Sequence, residues 1–504
     1  MAKFPRLRIF GESVMSSTTS RQISLKHPDR FFIDGEWVKA STDRKFVVLD
    51  SATEEEGLRV AEASTADMQA AIAAARRAFD TGPWPRMSPA ERGEYLRRIA
   101  DAWERRADAL GHSWMVESGV IGGMAAAAAP GAAAVFRWHA DLGTSYAWEE
   151  PRTTRSGNAA LLVKEPVGVV AAIVPWNAPT SLLTHKAAPA LIAGCTLVVK
   201  ASPEAPSALY LFAEICEEVG LPAGVVNVLT ADREVSEELV RHPDIDKVSF
   251  TGSTAAGRRI ASICGERIAR CTLELGGKSP AVVLDDYDIG KAAAEIARYA
   301  PMATGQVCAS LTRIIVDEKR HDDLVDALAA EFGRIRIGDP FDPATQMGPL
   351  AIERQRDRVE DYVQRGQADG ARLVAGGKRP AHLNRGYFIE PTLFANVDNS
   401  SAVAQDEIFG PVVCVIPASD EEHAIAMAND TIYGLNSSVF TGDTNRYYQV
   451  ARRLRAGTVG HNGFKLDFSI GFGGFKQSGI GREGGLAGVA PYLESKTMIF
   501  DRPA

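Results

Sequence analysis

Two residues of this chain could form a nucleophile and its water-activating partner. Cys308 follows Gly305 and Gln306 in a loop of small residues, and Glu274 ends a short apolar run. A cysteine in an open loop can attack a carbonyl carbon, and a nearby carboxylate can then deprotonate the water that releases the product. Considered alone, each residue keeps an alternative: a buried structural thiol, or a strand-end carboxylate paired with Lys278.

Other polar groups follow apolar runs further along the chain. Asn177 is either the cap of the next helix or an amide donor to an oxyanion. Lys200 either reaches a ribose or phosphate or is only solvated, and Glu407 is equally ambiguous by itself. The segment 252–257 lacks the GxGxxG fingerprint, but a strand–Gly–helix junction can present backbone amides to a phosphate.

The elements that must position these residues alternate between strands and helices from Val167 onward. Short Val- and Ile-rich runs between helical patterns are typical of a parallel sheet covered on both faces. A second unit of this kind begins at Ala281. Such α/β sheets bind ligands at the carboxyl ends of their strands, which is where the candidate residues lie.

Several segments outside the sheets also carry a prediction. Asp34-Gly35 predicts a hairpin turn. Pro151–Pro166 predicts a polar hairpin that projects and pairs with a neighbouring subunit, and Lys496–Phe500 predicts a last strand. The Ala/Gly-rich segment Gly119–Ala134 is interrupted by Pro130, and residues 1–30 are expected to form a loose leader.

Composition narrows the class of protein. With 504 residues, 45% apolar content and a formal charge of −8, the chain predicts several globular domains without a nucleic-acid footprint. Six scattered cysteines and nine unclustered histidines predict neither a disulfide framework nor a metal site. No apolar stretch is long enough for a membrane span. We therefore expect a soluble, cytoplasmic enzyme.

The order of the motifs indicates a family. The chain from about Phe32 to Lys496 resembles the aldehyde dehydrogenase superfamily, and the resemblance rests on PWN at 175, VVK at 198, FTGSTAAG at 250, ELGGKSP at 274, GQVC at 305, EIFGPV at 407 and GFGGFKQSGIGRE at 471. It implies a Rossmann-like cofactor domain, an α/β catalytic domain and a bridging β-ribbon.

The same resemblance implies a role for each site residue. Cys308 would be the nucleophile, Glu274 the general base, and Asn177 with the backbone amide of Cys308 the oxyanion site. NAD, or alternatively NADP, would be the cofactor. Its expected contacts are Pro175, Trp176, Lys200, Glu204, Gly252, Ser253, Gly257, Leu275, Glu407 and Phe409. The implied reaction oxidises an aldehyde to a carboxylic acid through a thiohemiacetal and a thioester.

Three departures from the family pattern affect this expectation. Pro203 stands where the family commonly has the glutamate that reads the adenosine ribose, and Glu204 follows it, so the choice between NAD and NADP stays open. Ala303-Thr304 and Gly471 also differ from the usual residues. The expected substrate contacts predict a bulky aromatic, terpenoid or long aliphatic aldehyde, and they are Ala178, Leu182, His185, Val307 and Phe472.

The predicted domain boundaries follow from the same pattern. Residues 31–145 and 167–275 would form the cofactor domain, 276–485 the catalytic domain, and 146–166 with 486–504 the ribbon of a homodimer or homotetramer. The alternatives are a coenzyme A-acylating or semialdehyde dehydrogenase, a cysteine hydrolase, or a binding protein with a retired site. The presence of Glu274, Cys308 and Asn177 favours the hydrolytic dehydrogenase.

Overall fold

Short apolar runs form the inner strands of two sheets in the computed structural model, which describes residues 20–503. Every residue of Val169–Ile173, Lys247–Thr251 and Ser279–Val283 is buried. Burial on both faces requires helices above and below each sheet, and the alternating helices supply that cover.

The strands and helices follow in chain order. The strands are β1 (Arg30–Ile33), β2 (Glu36–Lys39), β3 (Lys45–Leu49), β4 (Glu56–Ala61), β5 (Glu149–Thr153), β6 (Asn158–Pro166), β7 (Val169–Ile173), β8 (Thr196–Ala201), β9 (Val226–Thr230), β10 (Lys247–Thr251), β11 (Arg270–Glu274), β12 (Ser279–Val283), β13 (Leu311–Asp317), β14 (Arg372–Ala375), β15 (Thr392–Ala395), β16 (Val412–Ala418), β17 (Asn436–Phe440), β18 (Thr458–His461), β19 (Gly479–Ile480) and β20 (Leu493–Pro503). The α-helices are α1 (Thr65–Asp80), α2 (Pro89–Arg105), α3 (Ala107–Ser118), α4 (Gly122–Ala125), α5 (Ala128–Ser145), α6 (Pro179–Ala193), α7 (Ser207–Glu218), α8 (Arg233–Arg241), α9 (Thr254–Glu266), α10 (Ile289–Tyr299), α11 (His321–Phe332), α12 (Glu353–Ala368), α13 (Ala402–Gln405), α14 (Glu421–Asn429), α15 (Thr444–Ala451) and α16 (Gly485–Val489).

The two large sheets confirm the predicted α/β fold. The first has the order β19-β11-β10-β7-β8-β9-β1-β2, with β7 to β11 parallel and β19 and β1 added antiparallel at either side. The second has the order β14-β15-β16-β13-β12-β17-β18 and is parallel except for β14. β19 follows the whole second sheet in sequence, yet it pairs Gly479 with Glu274. The domain boundaries stay predictions.

Both predicted hairpins are confirmed. β1 and β2 pair across Asp34 and Gly35, whose φ angles of 56° and 82° are those of a tight hairpin turn. β5 and β6 pair antiparallel, and the predicted last strand is β20, which pairs with β6 to complete a three-stranded ribbon. Whether this ribbon contacts another subunit stays a prediction.

The expected interruption at Pro130 is wrong. Pro130 lies in the first turn of α5, where the backbone N–H that proline lacks would have no intrahelical partner, so the helix accommodates it. The expected leader, residues 1–30, lies outside the described residues up to position 19. The remainder is not loose: Ile23 is buried and its amide donates to the Gly57 carbonyl, and Arg21 pairs with Asp50.

Candidate active site

Most of the predicted site residues line one cavity of about 1200 Å³. Cys308, Glu274 and Asn177 all line it. The predicted cofactor and substrate contacts that line it are Pro175, Trp176, Ala178, Leu182, His185, Gly252, Ser253, Leu275, Val307, Glu407, Phe409 and Phe472. Lys200, Glu204 and Gly257 are not part of the lining. Gly257 lies behind it, because a Cβ added there would be 2.4 Å from the Leu275 side chain.

The loop before the nucleophile has an unusual backbone. Ala303 and Thr304 have φ angles of 46° and 55°, a left-handed conformation that costs non-glycine residues about 1–3 kcal/mol each. Neighbouring hydrogen bonds hold it: the Thr304 hydroxyl donates to the Gly348 carbonyl at 3.0 Å, and the Gln306 side-chain amide donates to the Ala303 carbonyl at 2.9 Å. The buried Gln306 therefore acts as a strut for the loop.

The Cys308 thiol lies in a partly buried position where the neutral form is favoured. Burial raises its pKa above the ordinary range, and the carboxyl groups of Glu407 and Glu274 act in the same direction. The backbone amides of Ala309 and Cys308 itself oppose the shift but do not outweigh it. Formation of the Cys308 thiolate therefore requires further stabilisation of its negative charge during the reaction.

Gly276 and Gly277, which follow Leu275, allow a close approach of the backbone to neighbouring groups. A Cβ added at Gly277 would be 2.4 Å from the Cys308 carbonyl oxygen, and one at Gly276 would be 2.3 Å from a Glu407 carboxylate oxygen. Larger residues would therefore displace either the nucleophile or Glu407.

Glu274 ends β11 and is 3% exposed. Neither carboxylate oxygen has a hydrogen-bond partner within residues 20–503, so the alternative pairing with Lys278 does not occur. Burial raises the pKa of Glu274 well above its usual value, the nearby Glu483 raises it further, and Lys186 and Arg482 oppose. An unpartnered carboxyl beside the nucleophile can bind and deprotonate a water.

Asn177 is not the cap of the following helix. Ala178 occupies that position, and no side chain caps the helix there. Instead Nδ2 of Asn177 donates to the Gln306 carbonyl at 2.9 Å, which holds the amide beside the nucleophile loop. A side-chain amide has two hydrogens, so the second can donate to an oxyanion on substrate bound at Cys308.

A buried ion pair that sequence reasoning missed lies near Glu274. Lys186 and Glu483 are 0% and 1% exposed, and Lys186 donates both to the Glu483 carboxylate and to the Thr251 hydroxyl. The second Glu483 oxygen has no partner in the described part of the chain. Lys186 follows the predicted contact His185, but its sequence carries no signal for burial.

At the other end of the cavity, aromatic and acidic groups form a second wall. Trp176 and Phe409 meet edge to face, with ring centroids 5.5 Å apart. The amide of Gly277 donates to Glu407 at 3.3 Å, and burial raises the pKa of Glu407 to about 7. Ser253 caps α9 by accepting from the Ala256 amide, so the predicted junction is a true helix N-terminus.

Lys200 and Glu204 form a polar cluster beside this wall. Burial lowers the pKa of Lys200 to about 8, although the nearby carboxylates of Glu204 and Asp232 act to raise it. Lys200 is therefore not simply solvated. Burial raises the pKa of Glu204, but hydrogen bonds from Ser202 and Arg354 bring it below the usual value. Arg354 also lines the cavity and so connects the cluster to it.

The remaining wall of the cavity is largely apolar and aromatic. His185 stacks on Phe468, with ring centroids 4.4 Å apart, and Phe468 contacts Phe472. Sequence reasoning missed several lining residues, which lie on helices and loops outside the motifs: Trp114, Met124, Trp138, His139, Phe464, Leu466 and Phe468. The Ala/Gly-rich segment before Trp138 was the available signal for one of these helices.

Two features are absent from residues 20–503. No group of three or more histidine, cysteine, aspartate or glutamate side chains is placed to hold a metal ion. None of the helices there combines the length and apolar character needed to cross a bilayer.

Comparisons with known proteins agree with this geometry. A sequence model described as "Aldehyde dehydrogenase family" matches residues 37–498. Geranial dehydrogenase of Castellaniella defragrans is 41% identical over 470 residues, covering 93% of this chain and 98% of its own length. 3-Succinoylsemialdehyde-pyridine dehydrogenase of a Pseudomonas species is 40% identical over 475 residues, with coverage of 93% and 98%.

Two solved structures match nearly the whole chain. A Mycobacterium tuberculosis aldehyde dehydrogenase complexed with NAD+ has a TM-score of 0.91 and 42% identity, covering 95% of this chain and 99% of its own. An aldehyde dehydrogenase C mutant from Pseudomonas syringae, complexed with NAD+ and octanal, has a TM-score of 0.92 and 37% identity, with coverage of 96% and 100%.

Proposed function

The chain belongs to the aldehyde dehydrogenase family, and we propose that it oxidises a bulky, largely apolar aldehyde to the carboxylic acid with NAD as cofactor. The observation that carries the proposal is the meeting of three groups in one cavity: the Cys308 thiol, the Asn177 amide held against the nucleophile loop, and the unpartnered Glu274 carboxyl. Each group supplies a different step of acyl chemistry.

The residues at the other end of the cavity fit a dinucleotide. The N-terminus of α9 has no acidic residue in its first turn and can accept a pyrophosphate beside Ser253. Gly252 is required there, since a Cβ would lie 2.5 Å from the Phe250 ring. Glu407 and Phe409 would hold the nicotinamide ribose and ring, and Lys200 with Glu204 the adenosine ribose. When bound, NAD supplies the acceptor for the hydride that leaves the substrate carbon.

The first step belongs to Cys308 and Asn177. The thiolate sulfur forms a bond to the aldehyde carbon, and the carbonyl electron pair moves to oxygen. The free N–H of Asn177, with the backbone amide of Cys308, stabilises that oxyanion, a contribution of about 3–4 kcal/mol per donor in other enzymes. Gln306 positions both partners, because its carbonyl accepts from Asn177 and its side chain supports the loop.

The second half of the reaction belongs to Glu274. Loss of hydride converts the thiohemiacetal to a thioester on Cys308. The Glu274 carboxylate then takes a proton from water, whose oxygen attacks the thioester carbon and displaces the thiolate. The buried setting raises the pKa of Glu274, which strengthens it as a base once it has lost its proton.

The apolar wall supports the substrate class. Leu182, Val307 and Phe472 surround the approach to Cys308 together with further aromatic residues. The similarity to geranial dehydrogenase and to a structure with octanal agrees with an aldehyde that carries a hydrocarbon chain. We also propose that residues 31–145 and 167–275 form the cofactor domain and that residues 276–485 form the catalytic domain. The ribbon, residues 146–166 and 486–504, would join subunits into a dimer or tetramer.

The test follows reduced nicotinamide by absorbance with NAD and with NADP across short, long, branched and aromatic aldehydes, and measures the acid product. Cys308→Ala and Cys308→Ser should lose acid formation while thermal melting shows that both variants remain folded. Undiminished conversion of aldehyde to acid by either folded variant would overturn the proposal. A coenzyme A thioester as the product in place of the acid would show instead that the protein is a coenzyme A-acylating dehydrogenase.

A further inference from the structure

One face of α5 forms a wall of the substrate cavity. Ala128, Gly131, Ala132, Val135 and His139 recur at spacings of three and four residues, so they share that face, and all five line the cavity. A Cβ added at Gly131 would meet no heavy atom of the described residues within 4 Å. The Ala/Gly-rich sequence therefore leaves room beside the helix for a wide substrate.

His139 ends this face with a hydrogen-bond acceptor that no group in residues 20–503 satisfies. Its Nδ1 lies 2.8 Å from the Val135 carbonyl, and because a carbonyl only accepts, Nδ1 carries the hydrogen. Nε2 is then an acceptor, and it has no partner in the described chain although the residue is only 2% exposed. Burial lowers the pKa of His139 to about 4, so the ring is neutral at physiological pH.

A second neutral imidazole lies near the first. His185 on α6 is 5% exposed and lines the same cavity, and its Nδ1 also has no partner within residues 20–503. Burial lowers the pKa of His185 to about 3, and the charge that His139 would acquire lowers it further. Buried polar groups are normally hydrogen-bonded, so two unsatisfied nitrogens in an apolar wall indicate a missing polar partner.

We propose that this face of α5 selects aldehydes whose bulky hydrocarbon body carries a hydroxyl group, and that the hydroxyl donates its hydrogen bond to Nε2 of His139. The inference rests on the proposed function, since it specifies the substrate of the same cavity. A hydroxyl buried in an apolar tunnel without a partner would be disfavoured. The Nε2 acceptor of His139 removes that penalty for a substrate with the hydroxyl. When a substrate lacks the hydroxyl, Nε2 stays without a hydrogen bond, and such a substrate binds less well.

The test compares aldehydes that differ by one hydroxyl group: 7-hydroxy-3,7-dimethyloctanal with 3,7-dimethyloctanal, and 4-(hydroxymethyl)benzaldehyde with 4-methylbenzaldehyde. For each pair, the ratio of kcat/KM values within one protein cancels effects common to both substrates. His139→Phe and His139→Leu should lower the ratio about tenfold, through KM, because the hydroxyl loses its acceptor. His139→Gln keeps an acceptor oxygen and should retain most of the ratio.

A fall of the ratio in either pair supports the proposal. An unchanged ratio for both pairs in both apolar variants overturns it, and so does an equal fall in His139→Gln. If the wild type reduces NAD with none of these aldehydes, the proposed function fails; if it oxidises them without responding to His139, only the present inference fails.

The wall itself has a matched control. Gly131→Leu should raise KM for the dimethyloctanals about tenfold relative to propanal, because the added side chain occupies the cavity. Gly123 on α4 also meets no heavy atom within 4 Å but does not line the cavity, so Gly123→Leu should leave both KM values at the wild-type level. If the ratio of KM for the dimethyloctanals to KM for propanal is the same in Gly131→Leu as in Gly123→Leu, then α5 does not contact the substrate.

Discussion

The two buried histidines should make folding stability depend on pH in a calculable way. Folding lowers the pKa of His139 from 6.5 to about 4 and that of His185 from 6.5 to about 3. Between these pKa values and pH 6.5 the unfolded chain binds more protons than the folded one. The two histidines therefore leave the free energy of unfolding undiminished above pH 6.5 and lower it progressively as the pH falls.

The magnitude follows from these pKa values. At about pH 5.5, one unit below the unfolded pKa, each histidine costs the folded state about 1.4 kcal/mol, whereas at about pH 7.5 the cost is below about 0.1 kcal/mol. Together the pair should lower the free energy of unfolding by about 2.7 kcal/mol across this interval. His139→Gln should remove about half of that loss, since glutamine does not titrate.

Urea titrations at both pH values, at fixed protein concentration, measure the difference between wild type and variant. Comparing variants removes the contribution of other titrating groups, such as the buried carboxyls. The exposed His382 provides the control, and His382→Gln should keep the wild-type pH dependence. If His139→Gln loses as much stability on acidification as the wild type, then His139 is not held neutral by burial and the reasoning fails.

Four further predictions concern the charged and polar groups around the nucleophile. Lys186→Met leaves the Glu483 carboxylate buried without its partner and should lower the free energy of unfolding by about 3–5 kcal/mol in urea titrations, whereas adding Glu483→Leu should restore most of it; equal losses would contradict this. Asn177→Ala should lower kcat about 10²–10³-fold in the absorbance assay, and a loss under about threefold would exclude the oxyanion role. Because burial raises the pKa of both Cys308 and Glu274, turnover should rise as the pH increases above neutrality. Glu274→Gln should keep a burst of reduced nicotinamide but release acid slowly in rapid-mixing experiments, and a rapid steady state would argue against the base.

The sequence predicted the sheets well because their evidence is local. An inner parallel strand is buried along its whole length, so it appears as a short apolar run, and the residue after it lies at the ligand-binding edge. Asn177, Glu274 and Lys200 were predicted in this way; Asn177 and Glu274 line the cavity, whereas Lys200 does not. Their alternatives could not be decided from sequence, because only the structure shows that the Glu274 carboxyl has no partner among residues 20–503 and that Asn177 donates to Gln306.

Features that depend on distant contacts were not predictable. Pro130 indicated an interruption, but its position in the first helical turn, which makes it harmless, is set by where α5 begins. Glu483 comes from a segment far from Lys186 in sequence, and nothing local marks their pairing. His139 is an ordinary residue of a helical pattern until the helix is placed against the cavity.

The late strand β19 has a consequence for how the protein is made. The strand that ends in Glu274 has an open edge until Gly479 and Ile480 pair with it, and those residues are synthesised only after the entire second sheet. On the ribosome, the first sheet therefore waits with an unprotected edge while the second is translated, a state prone to wrong strand pairing. A fragment ending near residue 275 would keep that edge unpaired, so the first sheet is complete only after the segment that follows the second sheet has been synthesised.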